Sequence, residues 1–132
     1  INTSKKSLKK TSGSVVCISS IAGIEITDAP IPYSIAKSAL NAYIKNNVKP
    51  FAKLGIRING VAPGNILFKG SIWERKILKN KKRVYDMIAS KVAMNRFGIP
   101  IEIANAVVFL SSSVSSFTTG NILVIDGGQV KS

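Results

Sequence analysis

The spacing of apolar positions changes period several times along the 132 residues. Residues 14–19 carry a short, β-branched, nearly unbroken apolar run, the pattern of a strand buried on both faces. From residue 32 to about residue 53 the period turns helical. Ile35, Ala36, Ala39, Leu40, Tyr43, Ile44 and Val48 share one apolar face, and Pro32 suits a first turn. Pro50 is expected to bend or end the regular helix, although Phe51 and Leu54 carry the apolar pattern onward. Gly55 is a natural stop. Residues 56–61 read as a second strand, which completes a strand–helix–strand unit of the length a parallel, right-handed crossover requires.

Beyond this unit, residues 62–70 form a loop holding Pro63, Gly64, Asn65 and Gly70. Residues 71–92 are basic and helical in period, predicting two short helices broken near Asn80. Residues 94–100 form a turn region, and residues 101–110 predict a helix with Glu102 in its first turn. A polar connection over residues 111–116 leads to a third buried strand at 122–125, closed by Asp126-Gly127-Gly128. Residues 1–13 are polar and basic and read as a helix end followed by a loop, and residues 21–31 form a second loop. No internal repeat or domain boundary interrupts the order. The fold class is α/β, a single layer built on about three parallel strands with flanking helices.

Composition narrows the chemistry. Hydrophobic residues make up 45% of the chain, enough for a packed core. No apolar run approaches the roughly 20 residues needed to span a bilayer, so no membrane partner is expected. The lone Cys17 sits within the first strand and reads as a small buried hydrophobe; with no second cysteine the expected compartment is the cytoplasm. Histidine is absent, which removes histidine triads, histidine bases and the usual zinc sites, and no metal is expected. The net charge of +13 is concentrated at Lys5, Lys6, Lys9 and Lys10 and again between Lys69 and Arg83. Those stretches lack interleaved aromatics and match no common nucleic-acid module, so they read as solvated helix faces, with the option of drawing in an anionic ligand.

Ser20, Tyr33 and Lys37 form the candidate chemistry. Ser20 closes a strand, where open α/β sheets bind ligands. Tyr33 and Lys37 stand one helical turn apart on one face. A phenol ordinarily ionises near pH 10, and a cation one turn away favours the phenolate. Taken singly, each residue has a plainer reading: Ser20 as a turn cap, Tyr33 as amphipathic core, Lys37 as a solvated helix residue.

Five features occur in a fixed order: the strand ending in Ser19-Ser20, then Tyr33-x-x-x-Lys37, then Arg57-Ile-Asn-Gly-Val-Ala-Pro-Gly64. Arg96-Phe-Gly-Ile-Pro-Ile-Glu-Ile-Ala104 follows, and finally Thr119-Gly120 with Asp126-Gly-Gly128. Together, from about Gly13 to the end, they resemble the C-terminal half of the short-chain dehydrogenase/reductase family, nicotinamide-dependent oxidoreductases with a Rossmann-like, doubly wound parallel sheet. The resemblance implies Tyr33 as acid/base and a cofactor contact, Lys37 as its partner and holder of cofactor ribose, and Ser20 as the group that holds the substrate oxygen. It places Pro63, Gly64 and Ile66 near the nicotinamide ring of NAD or NADP, without choosing between the two. It further implies an alcohol or carbonyl substrate, and a homodimer or homotetramer of the full-length protein through the helix at 32–53.

The family's glycine-rich phosphate-binding turn and catalytic asparagine fall upstream of this segment in relatives. Residues 1–132 are therefore expected to be one partial Rossmann domain, a fragment lacking its N-terminal dinucleotide-binding half. Alone it is expected to be inactive and to expose an unpaired edge on its first strand. The alternative reading is a truncated, non-catalytic remnant acting as an interaction module. The family's threonine after Pro-Gly is replaced here by the apolar stretch around Ile66 and Leu67. Trp73, Arg75 and Lys76, in the segment where relatives build a substrate lid, suggest a polar or anionic substrate.

Overall fold

The computed structural model describes residues 3–130. Three strands, β1 (Ser14–Ile18), β2 (Arg57–Pro63) and β3 (Ile122–Ile125), pair in parallel in the order β1-β2-β3. A short helix α1 (Lys5–Lys10) precedes β1, and the long α2 (Ile31–Ala52) connects β1 to β2. Helices α3 (Ile72–Lys79), α4 (Lys81–Lys91) and α5 (Pro100–Ser111) occupy the connection from β2 to β3. Residues 1 and 2 of the predicted N-terminal helix end lie outside the described residues.

Strand alternation sends successive side chains to opposite faces of the sheet. One face packs Ile58 of β2, with Val15, Cys17 and Ile122, against Ile44 and Phe51 of α2. The other packs Val61, with Val16, Leu123 and Ile125, against Ala106 and Leu110 of α5. Helices thus cover both faces, as a doubly wound sheet demands. A third cluster, Val84, Ile88, Val92 and Phe97, holds the α3–α4 pair together away from the sheet. Trp73 and Tyr85 pack on Phe97 with ring centroids 5.5 and 5.9 Å away.

Several predicted boundaries shift for physical reasons. Helix α2 runs through Pro50 to Ala52 because Phe51 is fully buried beyond it. Burying that ring returns about 1.5–3 kcal/mol, comparable with the roughly 3 kcal/mol cost of an interior proline. The predicted apolar face of α2 divides in two. Leu40, Ile44 and Val48 enter the core, whereas Ile35, Ala36, Ala39 and Tyr43 remain exposed. Strand β1 is packed on both faces, Val15 and Cys17 against α2 and Val16 against α5. It is paired on one side only, however, none of its residues is fully buried, and Ile18 at its end is 46% exposed. The strand β2 extends two residues further than expected, into Pro63. The break between α3 and α4 falls at Asn80, which ends the first helix and caps the second by accepting from the Arg83 amide at 3.0 Å.

Helix α5 starts at Pro100, a favoured first position. Its Glu102 accepts from the Ile99 amide at 2.8 Å and takes a two-pronged bond from Arg96 at 3.1 and 2.6 Å. The Arg96 guanidinium, and then the Ile99 amide, hold the Glu102 carboxyl down at about 2. A depressed carboxyl contributes stability above its unfolded value and loses it as pH falls through the folded one. Glu102→Gln should therefore lower the melting temperature near neutral pH, with the gap to wild type closing as pH falls from 4.5 toward about 2. A gap independent of pH would show that the carboxylate charge contributes nothing.

Candidate active site

The C-terminal ends of the three parallel strands converge on one side of the sheet, the side where open α/β sheets place ligands. Beyond the end of β1, Ser20 is buried at 8% exposure and caps a 3₁₀ turn (Ile21–Gly23), its Oγ accepting from the Ala22 amide at 3.2 Å. A hydroxyl also carries one donor hydrogen, and no acceptor for the Ser20 hydroxyl occurs among the described residues. The plain cap role and an available donor coexist in the same group.

Tyr33 lies in the first turn of α2, 44% exposed, on the wall of a cleft of about 1280 Å³. Lys37, one turn on, sets its Nζ 5.6 Å from the Tyr33 ring centroid. The same Nζ donates to the Ile18 carbonyl at 2.8 Å, which ties the lysine to the end of β1. An ammonium has three donor hydrogens, so two remain for other acceptors. The helix period brings Tyr33 and Lys37 together as the sequence predicts, and Ser20 follows the strand end that anchors Lys37.

Pro63 ends β2, and Gly64 and Ile66 follow it. Gly64 lies so close to Asp126 that a Cβ would meet Asp126 Cβ at 2.7 Å, so only glycine fits. Ile66 is held by a parallel bridge to Gly98, with the Leu67 amide donating to the Gly98 carbonyl at 2.9 Å and the Gly98 amide donating to the Asn65 carbonyl at 3.0 Å. The Arg96-Phe97-Gly98 motif is thus a brace for the loop after β2. Gly64 and Tyr33 both line the large cleft.

Sequence reasoning missed the supports beneath these groups. Ser19 Oγ donates to Asn41 Oδ1 at 2.6 Å, and Asn41 Nδ2 donates to the Gly23 carbonyl at 3.0 Å. Ser38 Oγ reaches the same carbonyl at 3.2 Å. Asn41 stands one turn beyond Lys37, so the spacing 33, 37, 41 along one helix face was the available signal. Gly23 sits directly on α2, where a Cβ would meet the Lys37 backbone carbon at 2.7 Å. Gly23→Ala should push the turn off α2 and cost about 1–3 kcal/mol, the usual range for overpacking. An unchanged denaturant midpoint would show that the turn yields freely. Gln129, also on the cleft, has a buried Oε1 with no donor among the described residues.

The profile described as "Enoyl-(Acyl carrier protein) reductase" matches residues 1–129. The chain belongs to the short-chain dehydrogenase/reductase family. The 3-oxoacyl-[acyl-carrier-protein] reductase FabG of Thermotoga maritima is 36% identical over 93% of this short-chain dehydrogenase/reductase chain and 48% of its own length. Among solved structures, 4-hydroxyisoleucine dehydrogenase complexed with NADH superposes with a TM-score of 0.84 at 28% identity, over 97% of this chain and 52% of its own. An NADPH-bound short-chain oxidoreductase from Pseudomonas aeruginosa PAO1 with an atypical catalytic centre gives 0.81 at 25% identity, over 92% and 47%. The chain spans about half the length of the curated relatives it matches. Among the described residues no helix is long and apolar enough to cross a membrane, and no cluster of metal-binding side chains occurs.

Proposed function

We propose that this chain supplies the catalytic and substrate-binding half of an NAD(P)(H)-dependent oxidoreductase that interconverts an alcohol and a carbonyl. The observation that carries this reading is the placement of Tyr33 on the cleft wall with the Lys37 ammonium between its ring and the end of β1. The donor set fits the nicotinamide side of such a cofactor. Lys37 keeps two hydrogens for ribose hydroxyls, Tyr33 adds a hydroxyl, and Pro63, Gly64 and Ile66 offer a close backbone approach after β2. When bound, the reduced nicotinamide supplies the hydride.

The chain's own groups manage the oxygen. Ser20 donates to the substrate carbonyl while its cap bond keeps the hydroxyl in place. Tyr33 delivers the proton in reduction and takes it in oxidation. The Lys37 cation stabilises the phenolate left behind. Holding Lys37 on the Ile18 carbonyl preorganises that charge, so little reorganisation is needed when the proton moves. The exposed Ile35, Ala39 and Tyr43 on α2 support a homodimer or homotetramer of the full-length protein built on this helix.

The test is transfer of label from NADH or NADPH deuterated at the reactive ring carbon, using the full-length protein and a panel of aldehydes and ketones. Deuterium should appear on the carbonyl carbon of the alcohol product. Cofactor oxidation without label in the product would refute hydride transfer to a carbonyl.

A further inference from the structure

The basic stretch between Lys69 and Arg83 is not one uniformly solvated face. Helix α3 turns Trp73, Lys76 and Lys79 into the cleft, and α4 adds Arg83 and Lys91, whereas Lys69, Arg75, Lys81 and Lys82 lie outside it. The two groups differ in partners. Outside the cleft, Lys82 bonds Asp86 one turn on at 2.7 Å. Inside it, Lys91 pairs with Asp28 on the opposite wall, which neutralises that carboxylate. Lys76, Lys79 and Arg83 take part in none of these ion pairs, although Asp28 attracts Lys76 at longer range and Glu25 lies on the same cleft. Lys76 is held instead over the Trp73 indole, 4.5 Å from the ring centroid.

Four cations on the cleft, Lys76, Lys79, Arg83 and Lys91, outnumber its two carboxylates, Glu25 and Asp28. Lys79 and Arg83 stand in no ion pair among the described residues. The cleft also carries Ile21, Val84 and Met87, and its excess positive charge favours an anion. Focusing of field lines in such a cleft strengthens that preference. Resting on the oxidoreductase reading above, we infer that the substrate carries an oxyanion, a carboxylate or phosphate, at the end remote from the reacting carbonyl. Lys79 and Arg83 bind it, Arg83 with its planar fork and Lys79 as a point charge. Lys76, fixed on Trp73, adds to the field. Residues of the α3–α4 pair therefore set substrate class, while Tyr33 and Lys37 set the chemistry.

Calorimetric titration of the full-length protein with hexanoate, hexyl phosphate and the uncharged hexanamide tests this directly. At least one anion should bind more tightly than hexanamide, and which anion wins identifies the group. The Lys79→Gln/Arg83→Gln double variant should weaken anion binding by between about 10- and 100-fold, the value of charge-assisted hydrogen bonds, and leave hexanamide unchanged. Lys79→Arg with Arg83 intact should retain it. Equal binding of hexanamide and both anions, no binding of either anion, or undiminished affinity in the double variant would overturn the inference. So would loss of anion binding under saturating NADH or NADPH, which would give the cations to the cofactor phosphates. Tyr33→Phe should leave these titrations unchanged. A failed label transfer with selective anion binding therefore refutes the reaction alone, and the converse refutes only the anion site.

Discussion

Replacing Tyr33 by phenylalanine is expected to lower turnover of the full-length protein by about 10²- to 10⁴-fold, the contribution of a positioned general acid or base. The substitution removes one oxygen and keeps the ring, so the Lys37 ammonium retains the aromatic face it now approaches at 5.6 Å. Its bond to the Ile18 carbonyl is equally untouched. The Tyr33 ring is 44% exposed, so losing the hydroxyl strands no buried partner and the fold should be unaffected. Cofactor affinity should fall by no more than about 10-fold, the worth of the one neutral hydrogen bond the hydroxyl adds, because Lys37 and the backbone after β2 remain. The proposed roles separate cleanly under this change: kcat collapses while the cofactor dissociation constant does not. Retained turnover would remove Tyr33 from the acid/base role, and loss of both quantities together would make it a binding residue. A Lys37→Met variant should differ, losing cofactor affinity as well as rate, because the ammonium serves both the phenolate and the proposed ribose contact.

Parts of this site were legible because they depend on local periodicity. Tyr33 and Lys37 meet because a helix repeats every 3.6 residues, and the third strand was readable as a four-residue apolar run between turn signals. Other parts depend on pairings that hydropathy does not encode. A strand paired on one side has the same apolar string as one paired on both, so the string of β1 foretold its two packed faces but not that Ile18 at its end is half exposed. Helix α2 carries two apolar faces, and a count of apolar positions could not tell Leu40 and Ile44, which enter the core, from Ile35 and Tyr43, which do not. The bond from Ser19 to Asn41 crosses 22 residues, and the one from Asn41 to Gly23 crosses 18; both form only once the crossover has closed. The loop at residues 21–31 therefore gave no sign that Gly23 would be pinned against Lys37. Arg57 and Asn59 were visible as family letters, yet their work is done 53 to 62 residues away.

That last pair leads to the largest expected loss of stability. A fully buried asparagine in the middle of a parallel strand is costly unless both ends of its amide are matched. Asn59 meets the condition: Nδ2 donates to the Thr118 carbonyl at 2.9 Å and Oδ1 accepts from the Asn121 amide at 3.0 Å. These bonds hold the segment entering β3, and beside them Arg57 caps the end of α5 through the Leu110 and Ser112 carbonyls at 2.7 and 2.9 Å. Asn59→Ala strips the Asn121 amide of its acceptor and leaves the Thr118 carbonyl only the longer bond from Arg57 at 3.4 Å. With the void left in a fully buried site, a loss of about 2–5 kcal/mol is expected. The consequence extends to the site, because β3 carries Asp126 into contact with Gly64. A loosened β3 should shift the backbone after β2, where Pro63, Gly64 and Ile66 are proposed to meet the cofactor. The variant should therefore lower both the urea midpoint and cofactor affinity while leaving the Tyr33-dependent step intact in enzyme that remains folded. Stability within about 0.5 kcal/mol of wild type, the range of an ordinary surface substitution, would mean that water replaces the amide and that β3 is held by its strand pairing alone.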